Sequence, residues 1–244
     1  MKTTPRLYVD EALGTHSEVP LSREQAHYLT GVLRLGGGDP VRVFNGRDGE
    51  WLGLLANVSK KSASIRCEKH LANVRLPPDI DYLFAPLKHA RLDYVVQKAT
   101  ELGARRLRPV ITARTVAERV NLERMRANAI EAAEQCNLVF VPEVAEPERL
   151  EKVLTGWDKR RALVYCDETA EVASPLAALQ GLRPPAAVLI GPEGGFTEAE
   201  KTLVKSHAFV IAISMGPRIM RADTAAVAVL ALIQATLGDW HQQT

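Results

Sequence analysis

Two glycine-rich segments carry the residues best suited to chemistry, and each directly follows a short apolar run. Residues 191–195, Gly-Pro-Glu-Gly-Gly, follow Pro-Ala-Ala-Val-Leu-Ile, and residues 215–221, Met-Gly-Pro-Arg-Ile-Met-Arg, follow Ala-Phe-Val-Ile-Ala-Ile-Ser. A third apolar run ends in Asp167 and Glu168. Because glycine permits tight turns and lets the backbone approach a ligand closely, the two segments are predicted to be ligand-binding loops. For either loop alone, a simple turn before a helix cap remains the alternative.

Neither segment matches a common nucleotide-binding or hydrolase motif. The chain has no Gly-x-Gly-x-x-Gly fingerprint, no Gly-x-x-x-x-Gly-Lys-Ser/Thr loop and no Gly-x-Ser-x-Gly elbow, which disfavours classical dinucleotide binding, ATP hydrolysis and α/β-hydrolase chemistry. The histidines form no His-x-x-x-His pattern, and Cys67, Cys136 and Cys166 form no Cys-x-x-Cys pair. We therefore predict no metal site and no disulfide, and expect each cysteine to be buried or half-buried.

The elements that must position these loops alternate between strands and helices from residue 80 to 240. This alternation predicts a parallel sheet covered by helices, and ligands bind beyond the carboxyl ends of such strands. A helix is predicted over residues 89–103, ended by Gly103, and further helices are predicted after the caps Asn121 and Thr197, the latter with Glu200 three residues on. The final helix, residues 222–240, is apolar on most sides and is expected to be largely buried.

The first 70 residues follow a different pattern, in which short strands predominate. Ser22 opens one helix, with Gln25 three residues later as a capping box. The surrounding strands predict a small β-barrel. Pro77 and Pro78 are typical of an extended linker, so we place a boundary near residue 73, with domains 1–72 and 73–244.

Composition narrows the class of protein further. The chain has 244 residues, 46% hydrophobic and 25% charged, which is ordinary for a globular protein. It contains no apolar run of the ~20 residues that span a bilayer and no signal-peptide core, so a cytoplasmic location is predicted. The net charge is only +2, but residues 105–126 hold seven arginines. These arginines could bind nucleic acid or form a solvated surface, and the sequence leaves both readings open.

The same motifs resemble those of the ribosomal RNA small subunit methyltransferase E family, within the SPOUT (α/β-knot) superfamily. The resemblance is carried by residues 190–197 with Glu200, by residues 216–225, and by shorter matches along the chain such as residues 97–103. Three positions depart mildly from the family pattern, with Met215 and Met220 where leucine is usual and Asp223 where glutamate is usual. Residues 136–138, Cys-Asn-Leu, also differ from that pattern.

The resemblance implies a fold, a cofactor and a reaction. It implies a trefoil-knotted parallel sheet flanked by helices, a PUA-like N-terminal barrel, and a homodimer with the active site at or near the subunit interface. It also implies that S-adenosylmethionine is used to methylate N3 of a uridine in 16S ribosomal RNA. The residues expected to hold the cofactor are Ile190, Gly191, Pro192, Glu193, Gly194, Gly195, Ser214, Met215, Gly216, Arg218, Ile219, Met220 and Thr224.

Two residues are the candidates for catalysis. Arg221 is expected to stabilise charge on the uracil or fix a phosphate, and Asp223 to accept the N3 proton. A salt bridge is the alternative for Arg221, and a favourable place at the N-terminus of the last helix is the alternative for Asp223. The residues expected to contact RNA are Arg6, Arg34, Lys88, Lys98 and Arg114. Each of these could instead form a surface ion pair, as Lys98 could with Glu101.

Other functions remain as alternatives at this point. One is a different SPOUT methyltransferase, acting on transfer RNA or on a ribose 2′-hydroxyl. Another is a non-catalytic RNA-binding factor in ribosome assembly, which would not need both glycine loops together with Arg221. A nucleotide-binding oxidoreductase is disfavoured by the missing fingerprint.

Overall fold

The computed structural model describes residues 4–59, 62–88, 90–116, 119–170 and 174–240. The chain divides into two units, residues 1–76 with 133–141, and residues 77–132 with 142–244. The boundary near residue 73 stays a prediction. The grouping of residues 133–141 with the first unit has no local sequence signal, because it depends on contacts with residues more than 90 positions away, such as Arg42 with Asn137.

The first unit contains a five-stranded sheet in the order β1-β3-β4-β5-β2. Its strands are β1 (Arg6–Tyr8), β2 (Glu18–Pro20), β3 (Pro40–Phe44), β4 (Glu50–Ala56) and β5 (Ser64–Ala72). Strands β3, β4 and β5 pair antiparallel in sequence order. Strand β2 was not predicted, because its three residues are too short to show an alternating pattern.

One short helix packs on this sheet. Helix α1 (Arg23–His27) begins with the predicted capping box between Ser22 and Gln25, and it continues into a π-helical turn, Tyr28–Val32. Ala26 and Leu29 from this segment are buried against Val41 and Ile65 of the sheet. The helix is thus held by its apolar face, as is usual for so short a segment.

The second unit is built on a parallel sheet in the order β12-β10-β11-β6-β7-β8, with β9 paired to β7. The strands are β6 (Ile80–Phe84), β7 (Arg106–Ile111), β8 (Glu143–Val144), β9 (Glu148–Arg149), β10 (Ala162–Cys166), β11 (Ala186–Ile190) and β12 (Val210–Ile213). The helices are α2 (Ala90–Glu101), α3 (Leu122–Gln135), α4 (Leu150–Thr155), α5 (Pro175–Leu179), α6 (Glu198–Lys205) and α7 (Ala222–Thr236). Every strand pair in this sheet is parallel, so the predicted architecture is confirmed.

The predicted helix ends are confirmed at several positions. Asn121 accepts a hydrogen bond from the backbone of Arg124 at 2.9 Å, and Thr197 forms a reciprocal capping box with Glu200. Gly103 follows α2 with a φ of +72°, the left-handed conformation that stops a helix. Residue 89, with which the predicted α2 begins, lies outside the described residues.

Two expectations about burial need correction. Helix α7 is buried on one face only, through residues such as Val229 and Ile233, while Val227 and Leu232 are partly exposed. The prediction that α7 is largely buried is therefore wrong for a single chain, although the helix is apolar on most sides. Cys136 is exposed, not buried or half-buried, because it follows the end of α3 in a turn.

Candidate active site

A cleft of about 410 Å³ lies at the carboxyl ends of three neighbouring strands. Strands β12, β10 and β11 are adjacent in the sheet and parallel, so the loops that follow them meet at one edge. The cleft is lined by residues from all three loops and from the start of α7: Cys166, Asp167, Glu168, residues 190–196, residues 213–216, residues 218–222 and Ala225. The loops that follow these three strands therefore line one cleft.

The loop after β11 is a tight turn closed by its own backbone. Gly195 donates its N–H to the carbonyl of Pro192 at 2.8 Å and has a φ of +66°, a conformation that favours glycine. Gly191 lies against the ring of Phe196, where a Cβ atom would stand only 2.6 Å from the ring. Phe196 is buried and packs edge-on against Tyr165 with ring centroids 5.2 Å apart. The turn therefore rests on an aromatic pair beneath it.

The loop after β12 is open on its outer side. Gly216 has a φ of +103°, and no atom lies within 4 Å of the position that a Cβ would take. Ile219 is 92% exposed, although it lines the cleft. The loop ends at Arg221, which is the N-cap residue of α7 and accepts the backbone N–H of Ala225 at 2.8 Å. A ligand can thus approach the backbone closely at this loop.

The end of β10 contributes residues that the predicted site omitted. The Asp167 side chain is fully buried, pairs with Lys205, and accepts hydrogen bonds from the backbone and hydroxyl of Thr169 at 2.9 and 2.7 Å. Burial by itself would raise the pKa of Asp167, but the bonds from Lys205 and Thr169 outweigh it and hold that pKa below its usual value. Burial raises the pKa of the neighbouring Cys166 thiol to about 12, so this thiol is neutral at pH 7 and unsuited to act as a nucleophile.

Arg91, on the first turn of α2, faces Glu193 of the β11 loop and Asp223 of α7. Its Nη1 lies 3.5 Å from Glu193 Oε1, and its Nε lies 3.9 Å from Asp223 Oδ2. Asp223 and Thr224 are on the first turn of α7 and do not line the cleft. The predicted roles of Asp223 as proton acceptor and Thr224 as cofactor contact stay predictions. Arg91 was not predicted as part of the site, because its two partners are about 100 and 130 positions away in the chain.

The predicted RNA contacts occupy very different surroundings. Arg34 and Lys88 are exposed, as a phosphate contact requires. Lys98 donates to both carboxylate oxygens of Glu101 at 2.7 and 2.8 Å, which is the ion pair considered as its alternative. Arg114 is exposed and donates from Nη1 to the carbonyl of Gly194 at 2.7 Å, in the cleft loop itself.

The predicted RNA contact of Arg6 needs correction, because the Arg6 side chain is only 4% exposed. Its Nε lies 2.5 Å from Glu50, its two terminal nitrogens donate to the carbonyls of Ala133 and Leu138 at 2.5 Å each, and its guanidinium lies 3.8 Å from the ring centre of Phe44. Arg6 therefore holds the first unit together, and we do not retain it as an RNA contact.

Much of the arginine-rich segment also forms ion pairs. Arg106 Nε lies 2.7 Å from the buried Asp81 and Arg108 Nη1 lies 3.3 Å from the same carboxylate. Arg124 pairs with Asp93 at 2.6 Å on the helix surface. These three arginines are therefore engaged in ion pairs within the chain.

Two further features concern classes of protein that the sequence disfavoured. Within the described ranges, no group of three or more His, Cys, Asp or Glu side chains is arranged to hold a metal ion. No helix in the part of the chain that the structure describes is long and apolar enough to cross a membrane.

Comparison with known proteins identifies both parts of the chain. Residues 74–234 match the RNA methyltransferase domain family, and residues 21–67 match the RNA methyltransferase PUA domain. The ribosomal RNA small subunit methyltransferase E of Rickettsia conorii is 30% identical over 236 residues, covering 94% of each chain.

Two solved structures resemble the whole molecule. A putative methyltransferase from Legionella pneumophila, in complex with its bound cofactor S-adenosylmethionine, is 28% identical with a TM-score of 0.84, over 97% of this chain and 99% of that one. A ribosomal RNA small subunit methyltransferase E from Neisseria gonorrhoeae, bound to S-adenosylmethionine, is 25% identical with a TM-score of 0.86, over 98% and 100%.

A parallel sheet with a cleft at the carboxyl ends of its strands, in a chain that matches the RNA methyltransferase and PUA domain families, defines an RNA methyltransferase, and the predicted α/β fold class is confirmed. Relatives that cover nearly the whole chain are ribosomal RNA small subunit methyltransferases E, which narrows the class of RNA methyltransferase to one family. The chain belongs to the ribosomal RNA small subunit methyltransferase E family.

Proposed function

We propose that this chain transfers a methyl group from S-adenosylmethionine to N3 of a uridine in small-subunit ribosomal RNA. The observation that carries the proposal is the meeting of both glycine loops and the β10 end in one cleft. Membership of the family supports the substrate, and the bound S-adenosylmethionine of two solved relatives supports the cofactor.

The residues of the cleft fit this cofactor. The cleft volume of about 410 Å³ is within the range of small-molecule binding sites. The backbone at Gly195 and Gly216 is open, since a Cβ at either position would meet nothing within 4 Å, so a ligand can lie directly on it. Residues 190–195 and 214–220 would hold the adenosine and methionine parts. When bound, S-adenosylmethionine supplies a methyl group activated by a sulfonium.

The chain's own residues must align the uracil, exclude water and manage the N3 proton. Uridine N3 carries a proton at neutral pH, so negative charge develops on the uracil as that proton leaves. Arg221, at the edge of the cleft, is the residue proposed to stabilise this charge. Asp223 remains the candidate proton acceptor, next to Arg91 on the first turn of α7. The neutral Cys166 thiol takes no part in proton transfer.

Positive charge around the cleft supports an RNA substrate. Arg218 and Arg221 line the cleft, while Lys88 is exposed on the connection after β6, whose carboxyl end neighbours that of β11. Cations so placed can fix phosphates of a bound strand. Because N3 is engaged in base pairing in a duplex, the target uridine must be unpaired or flipped out of the stack. Arg34 is proposed as an RNA contact of the first unit.

We also propose that the chain acts as a homodimer in the cytoplasm. Helix α7 leaves apolar side chains partly exposed on its outer side, including Val227 and Leu232, and such a face is suited to a second copy. The cytoplasmic location follows from the ribosomal substrate.

The proposal is tested by a transfer assay with labelled S-adenosylmethionine. Purified protein is incubated with small ribosomal subunits from cells that lack this gene, and with transfer RNA and large subunits in parallel. We expect label only in the small subunit, a loss of at least a hundredfold in Arg221→Ala, and unchanged transfer in Arg160→Ala, which removes an exposed arginine paired with Asp158. Label on transfer RNA would instead favour another SPOUT activity, and the absence of both label and cofactor binding would favour a non-catalytic RNA-binding factor.

A further inference from the structure

One peptide unit of the β11 loop is held from both sides. The N–H of Gly195 donates to Pro192 O at 2.8 Å, and the carbonyl of Gly194, in the same peptide unit, accepts from Arg114 Nη1 at 2.7 Å. The Arg114 stem also packs across Gly194, since a Cβ there would lie 3.5 Å from Arg114 Cδ and 3.6 Å from its Cβ. With both polar groups engaged, this unit cannot rotate without breaking two hydrogen bonds.

Arg114 is itself held in place by its own turn. Thr115 Oγ1 accepts the N–H of Thr112 at 2.8 Å, and Ala113 donates its N–H to Glu200 Oε1 at 2.7 Å. Glu200 is buried, and its other oxygen accepts the N–H of Thr197 at 2.8 Å as part of the α6 capping box. One carboxylate thus ties the Arg114 turn to the helix that follows the cleft loop. The backbone that carries Arg114 is therefore held beside the cleft loop without a ligand.

We propose that Arg114 is a positioning residue for the S-adenosylmethionine site, acting through the Gly194 carbonyl to keep the 191–195 turn in its binding conformation. The inference rests on the proposed function of that turn. Arg114 does not line the cleft, so its effect reaches the cofactor only through the loop backbone. This role differs from the RNA contact expected from the sequence, because it operates when no RNA is present.

The test is calorimetric titration of S-adenosylhomocysteine, the demethylated cofactor, into the full chain without RNA. Arg114→Ala should weaken binding about tenfold, the lower part of the range for a hydrogen bond from a charged donor. Arg114→Lys retains one charged donor, so it should lie within about threefold of the parent protein. Arg119→Ala, which removes an exposed arginine from the same connection, is the matched control and should bind as the parent does.

Kinetics separate this role from a merely structural one. In Arg114→Ala the KM for S-adenosylmethionine should rise about tenfold, while kcat at saturating cofactor and the KM for the ribosomal subunit stay within twofold. If the parent binds the ligand and Arg114→Ala binds it equally well but has lost RNA affinity, the positioning role is overturned and the proposed function stands. If the parent itself does not bind, both fail.

Discussion

Substituting Gly191 by alanine tests whether the cleft loop rests on the aromatic pair as described. The new Cβ would lie 2.6, 2.9 and 3.2 Å from three ring atoms of Phe196, well inside the 3.5–4.0 Å at which carbon atoms pack. Phe196 is buried and edge-on to Tyr165, so the ring cannot move away without losing that contact. Overpacking of this kind costs about 1–3 kcal/mol. For a chain of 244 residues, a cost of about 2 kcal/mol lowers the Tm by roughly 4–8 °C.

The assay is a double-mutant cycle followed by thermal and urea denaturation. Phe196→Leu removes the ring atoms that the new methyl group meets, so Gly191→Ala should cost at least 1 kcal/mol less in the Phe196→Leu background than in the parent. Because residues 190–196 line the cleft, the single Gly191→Ala variant should also bind S-adenosylhomocysteine more weakly. A Tm within 1 °C of the parent, or strictly additive energies in the cycle, would refute the packing described here.

Three further substitutions separate stability from binding. Lys205→Met removes the cation beside Asp167, whose pKa is held below its ordinary value. The ion pair therefore stabilises the fold above about pH 4, and this contribution is lost as the pH falls through the lowered pKa of Asp167. The Tm difference from the parent should therefore be largest at pH 7 and shrink toward pH 3; a constant difference would contradict the ion pair. Asp81→Asn leaves the buried Arg161 and the half-buried Arg106 poorly paired, so urea denaturation should show a loss of about 3–5 kcal/mol. Its S-adenosylhomocysteine affinity should stay within twofold, because Asp81 is near the amino end of β6. Arg6→Met should destabilise the chain by a similar amount by leaving Glu50 poorly paired, whereas weaker RNA binding at an unchanged Tm would restore Arg6 as an RNA contact.

The parts of the fold that the sequence predicts are those with local signals. The capping boxes at Ser22 and Thr197 and the stop at Gly103 depend on residues within one turn, and all three are confirmed. The parallel sheet follows from apolar runs that alternate with helical patterns. Strands β8 and β9 have two residues each, which leaves no periodic pattern to detect.

For the candidate site, the sequence indicates the loops that follow strands but not the contacts between side chains of distant segments. The two glycine loops were found because each follows an apolar run. The hydrogen-bond partners of Arg6 are 44 to 132 positions away in the chain, and the partner of Arg114 is 80 positions away. A charged side chain alone does not reveal whether it contacts a carbonyl or a phosphate. For Lys98, which was predicted to contact RNA, the ion pair could be named as an alternative because Glu101 is one helical turn away.

Identification of the methylated nucleoside is the most direct test of the central claim. Small subunits from cells lacking the gene are treated with the protein and S-adenosylmethionine, digested to nucleosides, and analysed by mass spectrometry against standards for 3-methyluridine, 5-methyluridine and 2′-O-methyluridine. The structure and its relatives lead us to expect 3-methyluridine at a single position, absent when Arg221→Ala replaces the parent. A ribose-methylated or C5-methylated product, or a product that Arg221→Ala forms at the parent rate, would contradict the account.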